Sequence, residues 1–245
     1  MKINEEIYVL KLISSINNSE RIIYPVVLKD NDSLILIDTG FPGTYETIHK
    51  VFKEEDLDIS ELSKIILTHH DIDHIGNAKL LKDESKGKIK VLSHEKEVHY
   101  IEGNERALKL RCFEEKLKFM PKEAEKVYKA MEKGFEKCKV EVDETLKDGQ
   151  VIPFCGGVTV IHTPGHTLGH ISLYLNKYKI LIAGDALKID KGKIGFADDL
   201  YNFNSDENKS SVKKLLNLDI DKIVCYHGGV FEGNVEGELK KLFDE

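Results

Sequence analysis

Residues 68–76 read Thr-His-His-Asp-Ile-Asp-His-Ile-Gly, and residues 162–170 read His-Thr-Pro-Gly-His-Thr-Leu-Gly-His. We call these stretches the first and second histidine phrases. Both follow short apolar runs, where a β-strand would end and expose its tip. Two later residues extend the pattern: Asp185 in Ala-Gly-Asp-Ala and His227 in Tyr-His-Gly-Gly. Because histidine and aspartate bind divalent metals, this clustering indicates a metal site.

Composition narrows the possible functions. The chain has 245 residues, a hydrophobic content of 41% and a net charge of −7, which suits one large globular domain or two small ones. The acidic balance argues against nucleic acid as a partner, because phosphate binding needs a basic surface. No apolar run approaches the length of a membrane span. The amino-terminal residues do not resemble a signal peptide, and the four cysteines lack paired spacing. We therefore expect a cytoplasmic protein with reduced thiols that acts on a small molecule.

Short apolar runs separated by polar or glycine-containing breaks predict alternating strands and helices. The strand Lys64–Leu67 would carry the first histidine phrase at its carboxyl end, and the strand Leu34–Ile37 would end at Asp38. The other predicted strands are Ile7–Leu10, Ile22–Leu28, Lys88–Leu92, Val158–Ile161, Ile171–Leu175, Ile180–Ala183 and Ile223–Tyr226. The predicted helices are Thr44–Phe52, Ser210–Leu216 and Val235–Phe243.

The segment Glu95–Lys139 differs from its surroundings because it is charged and poor in β-branched residues. Helical spacing links Leu110, Phe113, Leu117 and Met120 and, after Pro121, Ala124, Val127, Tyr128, Met131 and Phe135. Each stripe predicts a helix packed on the core, and a sharper interpretation is a helical hairpin over the active site. We expect this segment and the loop Lys188–Asn204 to wall a pocket, with apolar surface from Phe196, Tyr201 and Phe203.

Seven side chains are candidate metal ligands. One short loop aims four of them at a single point, and three further strand ends supply the others: His69, Asp71, Asp73, His74, His166, Asp185 and His227. Seven ligands suffice for two metals that each keep an open position for water.

These motifs, in this order and over nearly the whole chain, resemble the metallo-β-lactamase superfamily. The motifs that carry the resemblance are Asp38-Thr39-Gly40, the two histidine phrases, Gly184-Asp185 and His227-Gly228. The resemblance implies a single α/β domain over residues 1–245. Its fold would be a four-layer αββα sandwich with a helical insertion at about residues 95–139 and the metals at one edge between two sheets. The chain departs from the family's His-x-His-x-Asp-His pattern at Asp71, where the second histidine usually stands.

The resemblance also implies a ligand set for two divalent metal ions. One ion would be bound by His69, Asp71 and His166, the other by Asp73, His74 and His227, and Asp185 would bridge them. Asp73 is assigned a catalytic role as well. Asp38 resembles the family carboxylate that orients a ligand histidine. Zinc is the expected metal, and the extra oxygen ligand favours manganese or iron as alternatives.

Three other histidines of the two phrases, His70, His162 and His170, leave alternatives open. Asp71 is an ordinary loop residue if His70 takes its place as a ligand. Adjacent residues on an extended loop point in opposite directions, so only one of the two would face the metal. His162 and His170 are more often packing or supporting residues than ligands in such a phrase.

Two metals with a bridging water generate a hydroxide nucleophile near neutral pH. The expected function is therefore metal-dependent hydrolysis of an ester-like bond, a thioester or lactone, in a small molecule. The glyoxalase II-like branch and the lactonases are the most similar branches. The chain ends soon after His227, so we do not expect the helical glutathione-binding region of the glyoxalase II branch.

Two other functions remain open. Some family members are mononuclear iron dioxygenases that act on persulfides, and His69, His166 and Asp185 would supply their iron ligands. The third possibility is a non-catalytic metal-binding module. Metal counting distinguishes the hydrolase from the dioxygenase, because the dioxygenase binds one iron and consumes oxygen.

Overall fold

The computed structural model describes residues 1–16, 19–31 and 33–244. The strands in the first half are β1 (Ile7–Val9), β2 (Leu12–Ile16), β3 (Ser19–Ile23), β4 (Val26–Asp30), β5 (Ser33–Ile37), β6 (Leu62–Leu67), β7 (Lys90–His94) and β8 (Glu144–Leu146). Those in the second half are β9 (Val151–Ile152), β10 (Val158–His162), β11 (Ile171–Leu175), β12 (Ile180–Gly184), β13 (Leu187–Asp190), β14 (Lys193–Phe196), β15 (Lys222–Cys225) and β16 (Gly229–Glu232).

The helices are α1 (Tyr45–Glu54), α2 (Ile72–Ile75), α3 (Ala78–Glu84), α4 (Val98–Ile101), α5 (Leu108–Leu117), α6 (Glu123–Cys138), α7 (Ser205–Leu215) and α8 (Val235–Lys241). Short 3-10 turns lie at Ile59–Glu61 and Asp199–Tyr201. Within the described ranges, no helix combines the length and apolar character needed to cross a membrane.

Two six-stranded mixed sheets organise the chain. The strand order is β1-β4-β5-β6-β7-β8 in the first and β16-β15-β12-β11-β10-β9 in the second. The run from β5 to β8 is parallel, as is the pair β12 and β15, while the remaining neighbours are antiparallel. The pairs β2–β3 and β13–β14 form separate antiparallel hairpins.

Side-chain alternation along the strands builds the layers. In β5, Ile35 and Ile37 enter the core between the two sheets, whereas Leu34 and Leu36 pack with Phe52 on the helix-covered outer face. The outer face of the second sheet is covered in the same way by α7 and α8. Both sheets are thus apolar on both faces, as strands with helices outside require. The predicted four-layer αββα sandwich is confirmed.

The predicted strand Ile22–Leu28 was wrong as a single element. It forms two strands, β3 and β4, that separate at Tyr24 and Pro25. Proline lacks the backbone N–H that a continuous ladder needs. The Tyr24 N–H instead donates to the Tyr226 carbonyl at 3.0 Å, and this hydrogen bond links the first half of the chain to the end of β15.

The predicted loop Lys188–Asn204 was also wrong in part, because it contains the hairpin β13–β14. The following helix begins at Ser205 and not at Ser210. The Asn204 side chain accepts a hydrogen bond from the Glu207 N–H at 3.1 Å, and this cap satisfies an otherwise free donor in the first turn.

The segment predicted as a helical insertion contains α4, α5 and α6. Leu110, Tyr128 and Phe135 are buried in the core of the first sheet, so the prediction of helices packed on the core is confirmed. Met120 lies beyond the end of α5 and is exposed, as is Val127 on α6. Those two residues do not share the buried face.

The strand ends that carry the histidine phrases meet at one edge of the sandwich. Parallel strands present their carboxyl ends at the same edge, and this brings the residues after β5 and β6 together, and likewise those after β12 and β15. The Ile171 N–H donates to the Thr68 carbonyl at 3.0 Å. This hydrogen bond joins the two sheets beside both phrases.

Candidate metal centre

The first histidine phrase turns sharply after β6 and enters the short helix α2. Asp71 is extended just before the helix, whereas Asp73 and His74 lie within it, so the phrase presents its side chains in two directions. Gly76 follows α2 where the chain passes close to a neighbouring loop. A Cβ atom there would lie 2.2 Å from the Gly40 carbonyl oxygen, so only glycine fits.

The seven predicted ligand side chains form two adjacent groups. The first group is His69, Asp71, His166 and Asp185, and the second is Asp73, His74 and His227. Within each group, one nitrogen or oxygen atom from every member lies within 4.8 Å of the others. The structure therefore brings together all seven residues.

Asp185 reaches both groups. Its Oδ2 lies 3.5 Å from His166 Nε2, and its Oδ1 lies 3.4 Å from His74 Nε2. Its Oδ2 is also 3.4 Å from His227 Nε2. A carboxylate in this position can share its two oxygens between neighbouring cations, as predicted for the bridging ligand.

Hydrogen bonds through Nδ1 orient three of the histidine rings. His74 donates to Asp38 Oδ2 at 2.9 Å, and His166 donates to Asn202 Oδ1 at 2.9 Å. The Thr68 hydroxyl donates to Asp38, so its oxygen accepts from His69 Nδ1 at 3.0 Å. Each ring therefore keeps an unprotonated Nε2 facing the cluster when a metal is bound, which is the usual arrangement of metal-binding histidines.

Asp38 is fixed by hydrogen bonds to the first histidine phrase, whose ring at His74 it orients. It accepts hydrogen bonds from the Thr68 N–H and the Thr68 hydroxyl, each at 2.8 Å, besides that from His74. Its φ of 60° lies in the left-handed region, which is unfavourable for a residue with a Cβ. This strained and buried position gives Asp38 the orienting contact that its motif predicted.

His170 supports Asp185 from behind. The Asp185 N–H donates to His170 Nε2 at 2.9 Å, and His170 Nδ1 contacts the Thr163 hydroxyl at 2.9 Å. Burial lowers the pKa of His170 to about 3, so the ring is neutral and serves as an acceptor. His162 is hydrogen-bonded to the Leu168 carbonyl at 3.1 Å. Both contacts agree with supporting roles for these two histidines.

His70 lies in neither group. Its Nδ1 is hydrogen-bonded to Glu97, and its Nε2 accepts from the Leu108 N–H at 3.2 Å. Its ring stacks on Tyr100 with a centroid separation of 4.4 Å. The side chain points away from Asp71, as expected for neighbours on an extended loop, and the alternative with His70 as a ligand has no geometric support.

Lys109, at the start of α5, brings a cation into the first group. Its Nζ forms an ion pair with Asp71 Oδ2 and lies 3.4 Å from His166 Nε2. Burial alone would lower the pKa of Lys109, but Asp71 and the neighbouring carboxylates Asp73 and Asp185 raise it. No sequence pattern pointed to this contact, because Lys109 is one of many lysines in a charged helical segment.

Tyr226 was also missed, although it directly precedes His227. Its hydroxyl donates to the Asp73 carbonyl at 2.5 Å and accepts from the Gly40 N–H at 3.1 Å. Its ring packs on His74 with a centroid separation of 3.9 Å. Tyr226 therefore joins the second sheet to the loop that carries the second group.

The residues present fit divalent metal ions. Three buried atoms of the two groups have no hydrogen-bond partner in the part of the chain that is described: Asp71 Oδ1, His74 Nε2 and Asp185 Oδ1. Unpartnered buried polar atoms are costly, and a cation between the groups would satisfy them. One cation, the Lys109 ammonium, already forms an ion pair with Asp71 of the first group. The mixed imidazole and carboxylate set is the one that zinc, manganese and iron accept.

We predict that metal binding releases protons at neutral pH. Burial alone would lower the pKa of His227, but Asp185 and Asp73 raise it to about 10. The same carboxylates, with Asp38, raise the pKa of His74 above its usual range. A metal must displace these protons, so its apparent affinity should increase as the pH rises toward 10. Calorimetric titration in buffers of different ionisation enthalpy checks this, and a heat independent of the buffer would contradict it.

The comparisons with known proteins agree with this geometry. A family model described as the metallo-beta-lactamase superfamily matches residues 19–227. The chain is 26% identical to the probable metallo-hydrolase YflN of Bacillus subtilis (strain 168) over 225 residues, which cover 86% of this chain and 81% of that protein. It is 28% identical to a hydroxyacylglutathione hydrolase of Buchnera aphidicola subsp. Schizaphis graminum over 163 residues, which cover 66% of this chain and 46% of that protein.

A solved structure shares the fold. A metallo-beta-lactamase family protein from Thermus thermophilus superposes with a TM-score of 0.75 and 22% sequence identity. The alignment covers 98% of this chain and 79% of that chain. At this identity the similarity establishes the architecture alone.

Proposed function

This chain belongs to the metallo-β-lactamase superfamily, and on that premise we propose that it is a hydrolase with two divalent metal ions that cleaves an ester-like bond in a small molecule. The first metal would be bound by His69, Asp71 and His166, and the second by Asp73, His74 and His227, with Asp185 shared. Zinc is the proposed metal, with manganese or iron as alternatives.

The observation that carries this proposal is the position of Asp185 between two groups of donors. A site for one ion needs three or four protein ligands, whereas this edge assembles seven side chains, with the Asp185 carboxylate among the other six. The mononuclear iron site considered above would use only His69, His166 and Asp185. It would leave the second group without a role, although the group includes His74 Nε2, which has no hydrogen-bond partner among the described residues.

The residues of the site have different roles in the proposed reaction. Divalent ions bound here supply the Lewis acidity that activates water and polarises the bond under attack. Asp38, Asn202 and Thr68 hold the histidine rings so that Nε2 faces the cluster. Asp73 Oδ2 lies 3.3 Å from His227 Nε2, at the side of the site that opens to solvent. We propose that Asp73 combines a ligand role with orientation of the attacking water.

The surroundings suit a substrate with an apolar part. The side chain of His227 is 41% exposed, so the second group is accessible from outside. Leu200, Tyr201 and Phe203 are exposed on the segment that reaches the site, where the Phe203 N–H donates to the His166 carbonyl at 3.1 Å. Phe196 instead packs against Phe243 and does not join this surface. The similarity to a hydroxyacylglutathione hydrolase supports a thioester as the first choice, and a lactone is our second choice.

The buried thiols Cys138, Cys155 and Cys225 support a reducing environment such as the cytoplasm. Burial raises the pKa of Cys138 and of Cys155 to about 12. These two groups therefore stay protonated and unreactive near neutral pH. We propose that the protein works in that compartment on a soluble small molecule.

Metal analysis combined with a substrate panel tests the function. We expect two metal ions per chain and hydrolysis of a thioester or lactone that stops after chelation and returns with zinc or manganese. The panel also contains phosphodiesters, β-lactams and a persulfide. One iron per chain with oxygen consumption on the persulfide would contradict the proposal and support the dioxygenase. Two metals with hydrolysis of a phosphodiester alone would keep the metal centre and overturn the substrate class.

A further inference from the structure

Glu97 is a fully buried carboxylate that contacts both histidine phrases. Its Oε2 accepts hydrogen bonds from the His70 N–H at 2.9 Å and from His70 Nδ1. Its Oε1 accepts from the Thr167 hydroxyl at 2.8 Å and from the Gly169 N–H at 2.6 Å. One side chain from the helical segment thus joins two loops that come from different sheets.

The donor set requires a carboxylate at this position. Two of the donors are backbone N–H groups, which cannot act as acceptors. His70 Nε2 accepts from the Leu108 N–H, so its Nδ1 carries the proton and also donates. Burial alone would raise the pKa of Glu97, but His70, Thr167 and Gly169 lower it. The ionised form therefore satisfies every donor.

Two of the three residues that Glu97 contacts are sequence neighbours of members of the first metal group. His70 stands between His69 and Asp71, and Thr167 directly follows His166. Holding His70 and Thr167 on the two oxygens of one carboxylate fixes the separation of the ligands on either side. The second metal group is held differently, by Asp38 and Tyr226.

His70 extends this connection to the start of α5. The Leu108 N–H that donates to His70 Nε2 belongs to the residue before Lys109, and Lys109 forms the ion pair with Asp71. The side of His70 that faces Glu97 positions the ligand loops, whereas the opposite side positions the lysine.

We propose that Glu97 is a positioning residue for the first metal group, holding His69 and Asp71 at the correct distance from His166 through His70 and Thr167. The inference rests on the proposed function, because it assumes that these residues bind a metal. Glu97 would affect the binding of one of the two metals and would not contact the substrate.

Glu97→Gln tests this role in a background that isolates the first group. His227→Ala removes a ligand of the second group, so that the tighter remaining ion reports on the first. In that background, Glu97→Gln should weaken metal binding by about 10- to 100-fold in chelator competition, the usual effect of outer-shell residues. In the otherwise native chain, it should lower kcat more than it raises KM.

Glu102→Gln is the matched control. Glu102 lies in the same segment and accepts from the Val142 N–H at 3.2 Å, without contact to either phrase. It should bind both metals like the native protein. Equal losses in the two variants would overturn the inference, because they would reflect general loosening of the segment.

His70 provides a second pair of variants if Glu97→Gln does not fold. Asn at position 70 can place an amide N–H where Nδ1 lies and keep the hydrogen bond to Glu97, whereas Ala cannot. We expect His70→Asn to retain the first metal and His70→Ala to lose affinity as Glu97→Gln does. If both bind like the native protein, the inference is wrong and the metal centre stands. A native protein that binds no divalent metal overturns both.

Discussion

Asp185→Ala is expected to retain less than half of the metal bound by the native protein. Asp185 contributes oxygens to both groups, with contacts to His166, His74 and His227 between 3.4 and 3.5 Å. If two ions bind as proposed, removing it would take one ligand from each ion and leave the remaining histidines without their shared anion. The loss should therefore exceed the effect of removing a ligand that serves one group.

Metal content by atomic spectroscopy after gel filtration measures this effect, with activity on the best substrate of the panel as a second readout. Asp190→Ala is the control, because Asp190 is exposed at the end of β13 in the same segment. Asp185→Asn keeps the shape of the side chain and removes its charge, and we expect it to fall between the two. Full metal retention in Asp185→Ala would show that Asp185 is not a shared ligand.

Local patterns in the sequence predicted most strands and the membership of the cluster, whereas the αββα sandwich was predicted from the resemblance to the family. The first histidine phrase places several donors within one turn of chain, and short apolar runs such as Leu34–Ile37 mark the strands that deliver them. The structure brings together the same seven side chains. Their roles as ligands remain a prediction that the variants above would test.

The supporting residues could not be predicted, because their contacts join distant parts of the chain. Glu97 and Thr167 are 70 positions apart, and Glu97 belongs to none of the motifs that the sequence analysis singled out. Tyr226 and Lys109 belong to common surface and core residue types, and only the packing of α5 and β15 turns them toward the site. Pro25 does indicate a break between two strands. The continuous apolar run on both sides of it nevertheless favoured a single strand, so the boundary between β3 and β4 was missed.

Lys109 changes the net charge of the proposed centre. From sequence, an additional carboxylate at Asp71 leaves roughly +1 on a centre with two divalent ions, against roughly +2 for the usual family pattern. Taken alone, that difference predicts that Asp71→His lowers the acidic-limb pKa of the pH–rate profile and raises the preference for zinc. The ion pair between Lys109 and Asp71 restores roughly +2. In the proposed centre, Asp71 and Lys109 together would carry the same net charge as one neutral ligand.

The last prediction is a double-variant cycle on this pair. Lys109→Met leaves the added carboxylate uncompensated, so the acidic-limb pKa of kcat/KM should rise. Asp71→His leaves the ammonium facing a neutral ring, so that pKa should fall, and the affinity for divalent ions in general, zinc included, should weaken whatever the change in preference among them. Each change should amount to roughly one to two pH units, the effect of a unit charge several ångströms away at an effective dielectric constant near 20. The double variant should return to the native profile.

The cycle separates charge from packing. Asp71 Oδ2 forms the ion pair with Lys109, while Asp71 Oδ1 has no hydrogen-bond partner among the described residues. The carboxylate can therefore bind the lysine through one oxygen and a metal through the other. Lys109→Arg is the control, because it keeps the charge with a larger head group and should keep the native pH profile. If the two single variants shift the profile in the same direction, or the double variant departs from the native profile as far as either single one, the pair does not act through compensation of charge. Recovery of the profile in Asp71→His/Lys109→Met, with zinc binding restored, is the result that compensation requires.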